Sequence, residues 1–254
     1  MIKGSERFLI AFSPDFAVST TSEYTVRDQQ RMTKAKRYFA WQSAVSKAAL
    51  GQRVLEVGCG LGNFTERLLD RELVVGIDID SQCVALHRER FAAYPNVRQM
   101  VLDAQDPAFL DLRRERIDSI ACLNVLEHIE DDRLTLSRFA AVLPPGGRVV
   151  LLVPAFRALY GPIDANLGHY RRYTKRSLAD TAAAAGLRPK TFRFMNVVGF
   201  FGWWVNAKVL RRQEQSGGQI EVFDRFIVPV QAALERWIPP PVGQSILAVL
   251  EKPA

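Results

Sequence analysis

The stretch that most constrains this chain runs from Arg53 to Phe64. Val54, Leu55 and Val57 form a short apolar run, interrupted by Glu56, that breaks into Gly58, Gly60 and Gly62. Thr65 to Leu69 then has helical character. Strand, glycine turn and helix are expected in that order. Glycine at every second position lets a backbone bend sharply and pass close to a ligand where a Cβ would clash. The free N–H groups of the following helix are expected to face whatever is bound.

The details narrow the ligand. The residue three after Gly60 is Asn63, so the G-x-G-x-x-G pattern of a dinucleotide site is not met, and no Lys-Ser/Thr pair follows to make a phosphate loop. Glu56, on the strand just before the first glycine, would repel a pyrophosphate and attract an ammonium or sulfonium group. A ligand cationic at one end is expected. Glu56-Val-Gly58-Cys59-Gly60-Leu-Gly62 resembles the first motif of class I S-adenosylmethionine (SAM) dependent methyltransferases, and the resemblance continues in order down the chain.

Downstream, Leu73 to Asp78 is an apolar run ending in an acid, about 20 residues past the glycines, where a carboxylate is placed to accept from a ribose diol. Asp78 is the candidate, with Ile79 beside it, and Asp80 reads as the N-cap of a helix through Arg90. Asn96 to Asp103 reads as a third strand. The resemblance implies that Asp103, with Ala104 and Gln105, meets the adenine amino group. Arg116 to Asn124 is a fourth strand running out into the site, so Leu123 and Asn124 are expected where methyl donor and acceptor meet, because open α/β sheets bind ligands beyond the carboxyl ends of their strands. The following Val-Leu-Glu127-His128 resembles a signature of small-molecule and lipid-quinone methyltransferases.

Arg148 to Pro154, Arg188 to Met195 and Ser245 to Lys252 complete seven strands, with helices over 131–142 and 174–185. The expected fold is α/β and Rossmann-like: a seven-stranded, mostly parallel sheet with helices on both faces and, as the resemblance implies, an antiparallel last strand. Residues 1–50 read as an arm and a lid helix from Val26 to Leu50, with Tyr24 and Tyr38 as candidate cofactor contacts or packing residues. Residues 51–195 and 245–254 read as the SAM-binding core, and 196–244 as a cap insert.

Composition excludes several classes. A chain of 254 residues with 48% hydrophobic content and a mean hydropathy of −0.03 suits a globular protein. Cys59, Cys83 and Cys122 offer neither a disulfide framework nor a Cys/His zinc pattern, and no metal is expected. Phe8 to Phe12 is too short for a signal-peptide core, and no stretch has the length of a membrane span, so a cytoplasmic location is expected, peripheral to the inner membrane face if the insert is interfacial. The net charge of +7 favours anionic partners. Amino-methylating nucleic-acid enzymes carry an Asn/Asp-Pro-Pro-aromatic run after the fourth strand. Asn124-Val-Leu-Glu127 stands there instead, so no nucleic acid is expected.

Two segments should decide the acceptor. Pro154 to Thr174 follows the fifth strand and is rich in functional side chains, the composition of a binding or catalytic lid. Within it Tyr160, Asp164, Tyr170, Arg171 and Arg172 are candidate substrate contacts. The two arginines either clamp an anionic group or, for Arg172, brace the loop against Asp164 while Arg171 is solvated. Gly168-His169-Tyr-Arg-Arg-Tyr173 resembles a segment of bacterial methyltransferases tied to glycan, lipid-linked and natural-product pathways. In the insert, Trp203 and Trp204 with Lys208, Arg211 and Arg212 have the composition either of an interfacial helix or of a cap or homodimer contact covering an apolar acceptor.

For transfer to oxygen some group must accept a proton, and His169 is the first candidate, His128 the second, since imidazole titrates near neutrality. His87, among Arg88 and Arg90, reads as solvated surface. The expected activity is O-methylation of a small molecule that has an apolar part. A non-catalytic SAM-binding or partner-activating subunit is the alternative, and an RNA methyltransferase a more distant one.

Overall fold

The computed structural model describes residues 35–206 and 217–254. Tyr24, the 26–34 part of the expected lid helix, and Lys208, Arg211 and Arg212 lie outside them. Seven strands form one sheet in the order β3-β2-β1-β4-β5-β7-β6: β1 Arg53–Val57, β2 Leu73–Asp78, β3 Val97–Val101, β4 Ser119–Leu123, β5 Arg148–Pro154, β6 Arg188–Met195 and β7 Ser245–Glu251. β1 to β5 pair in parallel, and β7 runs antiparallel between β5 and β6. Strand order reverses at β1 and β4, which places the switch point, and the crevice a ligand would use, between their carboxyl ends.

Two apolar cores sandwich the sheet, because successive strand side chains point to opposite faces. Leu55 and Val57 of β1 join one core, covered by Phe109 of the 3₁₀ segment Pro107–Glu115 and by two helices introduced below. Val54 joins the other, with Trp41 of α1 (Lys36–Lys47) and Phe91 after α2 (Ser81–Arg90). On the first face lie α3 (Asp132–Val142), through Leu136 and Phe139, and α5 (Lys175–Ala184), through Leu178 and Ala182. Asp80, Asp131 and Thr174 cap α2, α3 and α5 by accepting from backbone N–H groups of the first turn.

The helix expected after the glycines is absent. Thr65–Arg67 is a single 3₁₀ turn, and five residues follow it before β2. No α-helix N-terminus stands directly behind the glycine loop. In the lid, α4 spans Pro162–Asn166, and in the insert α6 spans Val197–Trp204. Further along the insert α7 (Gly217–Val222), a π-helical stretch (Phe223–Ile227) and α8 (Val228–Trp237) follow one another directly. Pro229 explains the irregularity, since it has no N–H for the carbonyl of Arg225, and Arg37 Nη1 donates to that oxygen instead at 2.8 Å. Among the described residues no helix is long and apolar enough to cross a membrane.

Candidate active site

The carboxyl ends of β1 to β4 carry the first half of the site. Gly58, Gly60 and Gly62 all have positive φ, and the N–H groups of Gly58 and Cys59 both donate to Ile77 O. A Cβ on Gly58 would lie 2.3 Å from Val125 Cγ2, so the β1 loop sits directly against the turn after β4. Asn124 begins that turn with φ 56° while its N–H donates to Leu152 O, and Leu123 is half-buried beside it. Asp78 accepts from Gly60 N at 2.9 Å and from Asp80 N at 3.0 Å, one bond per carboxylate oxygen, which leaves lone pairs for a further donor. Burial nevertheless raises its pKa. Ile79, beside it, is 73% exposed. Asp103 is exposed and accepts from Gln105 N at 2.8 Å, with Ala104 buried beneath.

Glu56 is buried behind the glycine loop. Thr65 Oγ1 donates to it at 2.5 Å and lies 2.8 Å from His87 Nε2. Thr65 has one proton to give, so the proton of its contact with His87 belongs to Nε2, and among the described residues the buried Nδ1 has no partner. Burial pushes the Glu56 carboxyl up to about 8 and the His87 imidazole down to about 4. His87 is thus a core residue and not the solvated one expected. Cys83, Val84 and His87 form the inward face of α2, and a charged neighbourhood in sequence concealed it.

The lid supplies the second half. Its ends are tied by mutual backbone bonds, Phe156 N to Tyr173 O and Tyr173 N to Pro154 O, and Tyr170 N donates to Glu127 O at 2.8 Å, which straps the lid to the β4 turn. Inside, fully buried Asp164 Oδ1 lies 2.9 Å from His169 Nδ1 and 2.8 Å from Arg172 Nε, while Oδ2 accepts from Gly161 N. Burial alone would raise the Asp164 pKa, but His169, Arg172 and Gly161 outweigh it and hold it below the usual value. His128 meets His169 edge to face at 4.6 Å between ring centres. Desolvation first, and the His169 ring second, keep the His128 imidazole below its ordinary value.

Several expected substrate contacts have other work. Arg172 is buried, bonded to Asp164 and to Ala155 O, so it braces the lid and does not clamp an anion. Arg171 is not solvated: it pairs with Asp132 and donates to Glu130 O. Tyr160 Oη donates to His169 O. Trp203 is buried against Leu159 and Ile163, with the Arg172 guanidinium 4.6 Å from its ring centre. Of Tyr160, Asp164, Tyr170, Arg171, Arg172 and Trp203, Tyr170 alone remains broadly exposed. Tyr38 is drawn away from the cofactor crevice, hydrogen-bonded near Asn196, Gln42 and Ser245 at the β6–β7 side of the sheet.

Sequence reasoning passed over Glu127. Its carboxyl is buried, pushed up to about 8 by burial, and Oε2 has no partner among the described residues. Glu127, His128 and His169 offer ligand atoms within 4.8 Å of one another. Donors sharing one ion at about 2.1 Å sit only about 3.0–3.4 Å apart, so holding a cation there would need at least one side chain to turn.

A family model for a methyltransferase domain matches residues 55–149. A ubiquinone biosynthesis O-methyltransferase of Idiomarina loihiensis is 32% identical over 173 residues, 59% of this chain and 68% of that one. The chain belongs to the class I S-adenosylmethionine-dependent methyltransferase family. SAM is the methyl donor that this family implies. A ubiquinone biosynthesis O-methyltransferase of a Bradyrhizobium strain is 35% identical over 105 residues, 40% of this chain and 39% of that one. The chain thus spans about two fifths of the length of the first relatives it matches. In fold, this methyltransferase resembles a chain of the complex containing the Haloferax volcanii Trm112 methyltransferase activator, with a TM-score of 0.62 at 18% identity over 91% of this chain and 95% of that one.

The residues of the crevice fit SAM chemically. Glu56 is a buried carboxyl with no cation bonded to it among the described residues, and an ammonium would relieve the cost of ionising it. Asp78 and Asp103 add acceptors at the next two strand ends, and Ile79 adds an exposed apolar surface.

Proposed function

We propose that this methyltransferase moves a methyl group from SAM to an oxygen of a small acceptor with an apolar part, and that His169 takes the acceptor's proton. The observation that carries the reading is the buried Asp164–His169 pair, strapped by Tyr170 to the turn after β4. When bound, SAM supplies an electrophilic methyl group on a sulfonium sulfur, which leaves as a neutral thioether. Glu56 would face its cationic amino-acid end, Asp78 its ribose hydroxyls, Ile79 its adenine ring, and Asp103 with Ala104 and Gln105 the adenine amine. Gly58, Cys59, Gly60 and Gly62 would pass beneath it, with Leu123 and Asn124 at the meeting point.

Asp164 accepts from His169 Nδ1, which fixes the ring's orientation and leaves Nε2 as the basic nitrogen. Arg172 keeps Asp164 ionised and in place. His128, in ring contact with His169, is the second proton acceptor. The lid then excludes water and aligns the hydroxyl, and alignment in a dry site is much of what a methyl transfer requires. Relatives named for ubiquinone biosynthesis O-methylation support oxygen as the acceptor atom. Exposed Tyr170 and the apolar insert against the lid support an acceptor with an apolar part.

Calorimetry with SAM, followed by labelled-methyl transfer into lipid, small-molecule and RNA fractions of a cell extract, tests this. Label in an alkali-stable ether of the lipid or small-molecule fraction is expected. SAM binding without transfer to any fraction would instead support a binding or partner-activating subunit, and label in RNA would overturn the acceptor class.

A further inference from the structure

The helical stretch from Gly217 to Trp237 is inverted. Asp224, Val228, Gln231 and Glu235, at helical spacing, face inward and are buried, and three of the four are polar. Each of the three makes hydrogen bonds there, although Gln231 Oε1 has no partner among the described residues. Asp224 accepts from Arg37 N and Tyr38 N and so caps α1, whose own N-cap Ala35 cannot. Glu235 accepts from Asn196 N and Val197 N at the start of α6, and Gln231 joins Asn196 to Glu235. Outward, Val222, Phe226, Val230 and Leu234 repeat every four residues and run on into Trp237 and Ile238, and all six are 58–78% exposed. A helix whose polar side serves the core and whose apolar side meets water is built for a covering. On α6, Phe201 and Trp204 are exposed as well, while Trp203 turns inward onto the lid.

Charge identifies the covering. Arg225 lies over the Phe226 ring and Arg236 over the Trp237 ring, at 5.2 and 5.5 Å, cations flanking exposed aromatics. Between residues 197 and 238 the acids Asp224 and Glu235 are turned inward. Among the described residues of this stretch the other ionisable side chains are Arg225 and Arg236 against Glu221, and all three are exposed. Apolar side chains with tryptophan and a basic surplus match an anionic lipid surface, where the apolar face enters the acyl boundary and the guanidines meet headgroups. A stripe from Val222 to Ile238 is about 24 Å long at 1.5 Å per residue, long enough to lie flat along a bilayer. We propose that this inverted helix seats the enzyme on an anionic membrane surface, with α6 beside it. Trp203 on Leu159 and Ile163, and Phe200 against Phe156, tie this insert to the lid, so the docked face and the acceptor entrance move as neighbours. The docking goes beyond the methyl-transfer reading and stands without it.

The test is vesicle flotation of the full chain, with phosphatidylcholine vesicles alone and with vesicles containing phosphatidylglycerol. Flotation with the anionic vesicles, weakened by salt, is expected. Phe226→Ser/Leu234→Ser/Trp237→Ser should lose roughly tenfold or more of it, and Arg225→Ala/Arg236→Ala should lose the preference for phosphatidylglycerol. SAM calorimetry on the same variants should be unchanged, which shows that they are folded and keeps this test separate from that of the reaction. Wild-type protein that stays soluble with anionic vesicles, or a triple variant that floats equally, would overturn the proposal. So would a wild-type dimer in gel filtration that the triple substitution dissolves without any flotation, since a second copy would then be the covering.

Discussion

One oxygen of Asp164 serves both His169 and Arg172, at 2.9 and 2.8 Å, so the proposed base and the brace of the lid hang on the same buried atom. Removing His169 therefore has a different consequence from removing the acid. Without His169 the lid keeps its ion pair and its fold. Without Asp164 a guanidinium is left buried and unpaired.

His169→Ala is expected to lower the rate constant for methyl transfer about 10²–10⁴-fold, the usual contribution of a positioned base. SAM affinity should be unchanged, because the residues proposed to hold the cofactor lie at the ends of β1 to β4 and not on the lid. Stopped-quench transfer with saturating SAM, together with calorimetry, checks both halves. Full turnover in the variant would remove His169 from the mechanism.

Asp164→Ala should cost activity and also stability, by about 3–5 kcal/mol, the usual cost of breaking a buried ion pair from one side. Arg172→Met in the same background should recover part of that loss, since the stranded charge is gone while its contact area on Trp203 is kept. Urea unfolding of the two variants and the double variant measures the recovery. An Asp164→Ala chain as stable as wild type would mean that the ion pair contributes nothing to the lid.

Two buried carboxyls make the unliganded enzyme sensitive to base. Glu56 and Glu127 are each pushed up to about 8, against an ordinary value near 4.5. A raised folded pKa means that the folded state holds its proton where the unfolded state has lost it. Their contribution is therefore full below about pH 4.5 and is lost as pH rises towards 8. His87, pushed down to about 4, acts in the opposite sense over roughly pH 4 to 6.5, so the window above 6.5 isolates the carboxyls. Unfolding free energy should fall between pH 6.5 and 8 by up to about 1.4 kcal/mol per pH unit for each group. Glu56→Gln/Glu127→Gln should flatten that slope. SAM, if its ammonium pairs with Glu56, should bind wild type more tightly as pH rises through the same window and lose that dependence in Glu56→Gln.

Much of this architecture was legible from residue pattern alone. β1 and β5 begin and end where apolar runs place them, because buried strands have few other ways to satisfy both faces, and β6, at the exposed edge of the sheet, covers the expected residues. Asp80 as a cap followed from short-range chemistry, while the Arg172–Asp164 brace was one of two readings that the sequence left open. The misses share a cause: they depend on what lies opposite. His87 reads as surface because Arg88 and Arg90 flank it, yet its four-residue spacing from Cys83 and Phe91 marked an inward face. Glu127 reads as part of a motif, and only the folded lid shows that its carboxyl is enclosed. Nothing local announces the inverted helix, since Asp224 and Glu235 are buried by the helix N-termini they cap, and those belong to α1 and α6.

The contact between the β1 loop and the β4 turn offers a direct test of the crevice. Gly58 has φ 73°, and a Cβ there would come 2.3 Å from Val125 Cγ2. Gly146, in the turn before β5, has φ 78° with nothing within 4 Å of its Cβ position. Both positions charge an alanine for its left-handed backbone, about 1–2 kcal/mol, but only the first adds a collision. Gly146→Ala should therefore lose about that much stability and bind SAM normally. Gly58→Ala should lose more, and should also weaken SAM binding about tenfold or more, because the β4 turn must move away from the loop that the cofactor is proposed to cross. Shortening the obstacle, in Gly58→Ala/Val125→Ala, should restore part of both losses while the backbone strain stays. Equal behaviour of the two single variants in urea unfolding and in SAM calorimetry would mean that the β1 loop and the β4 turn do not pack as one wall of the site.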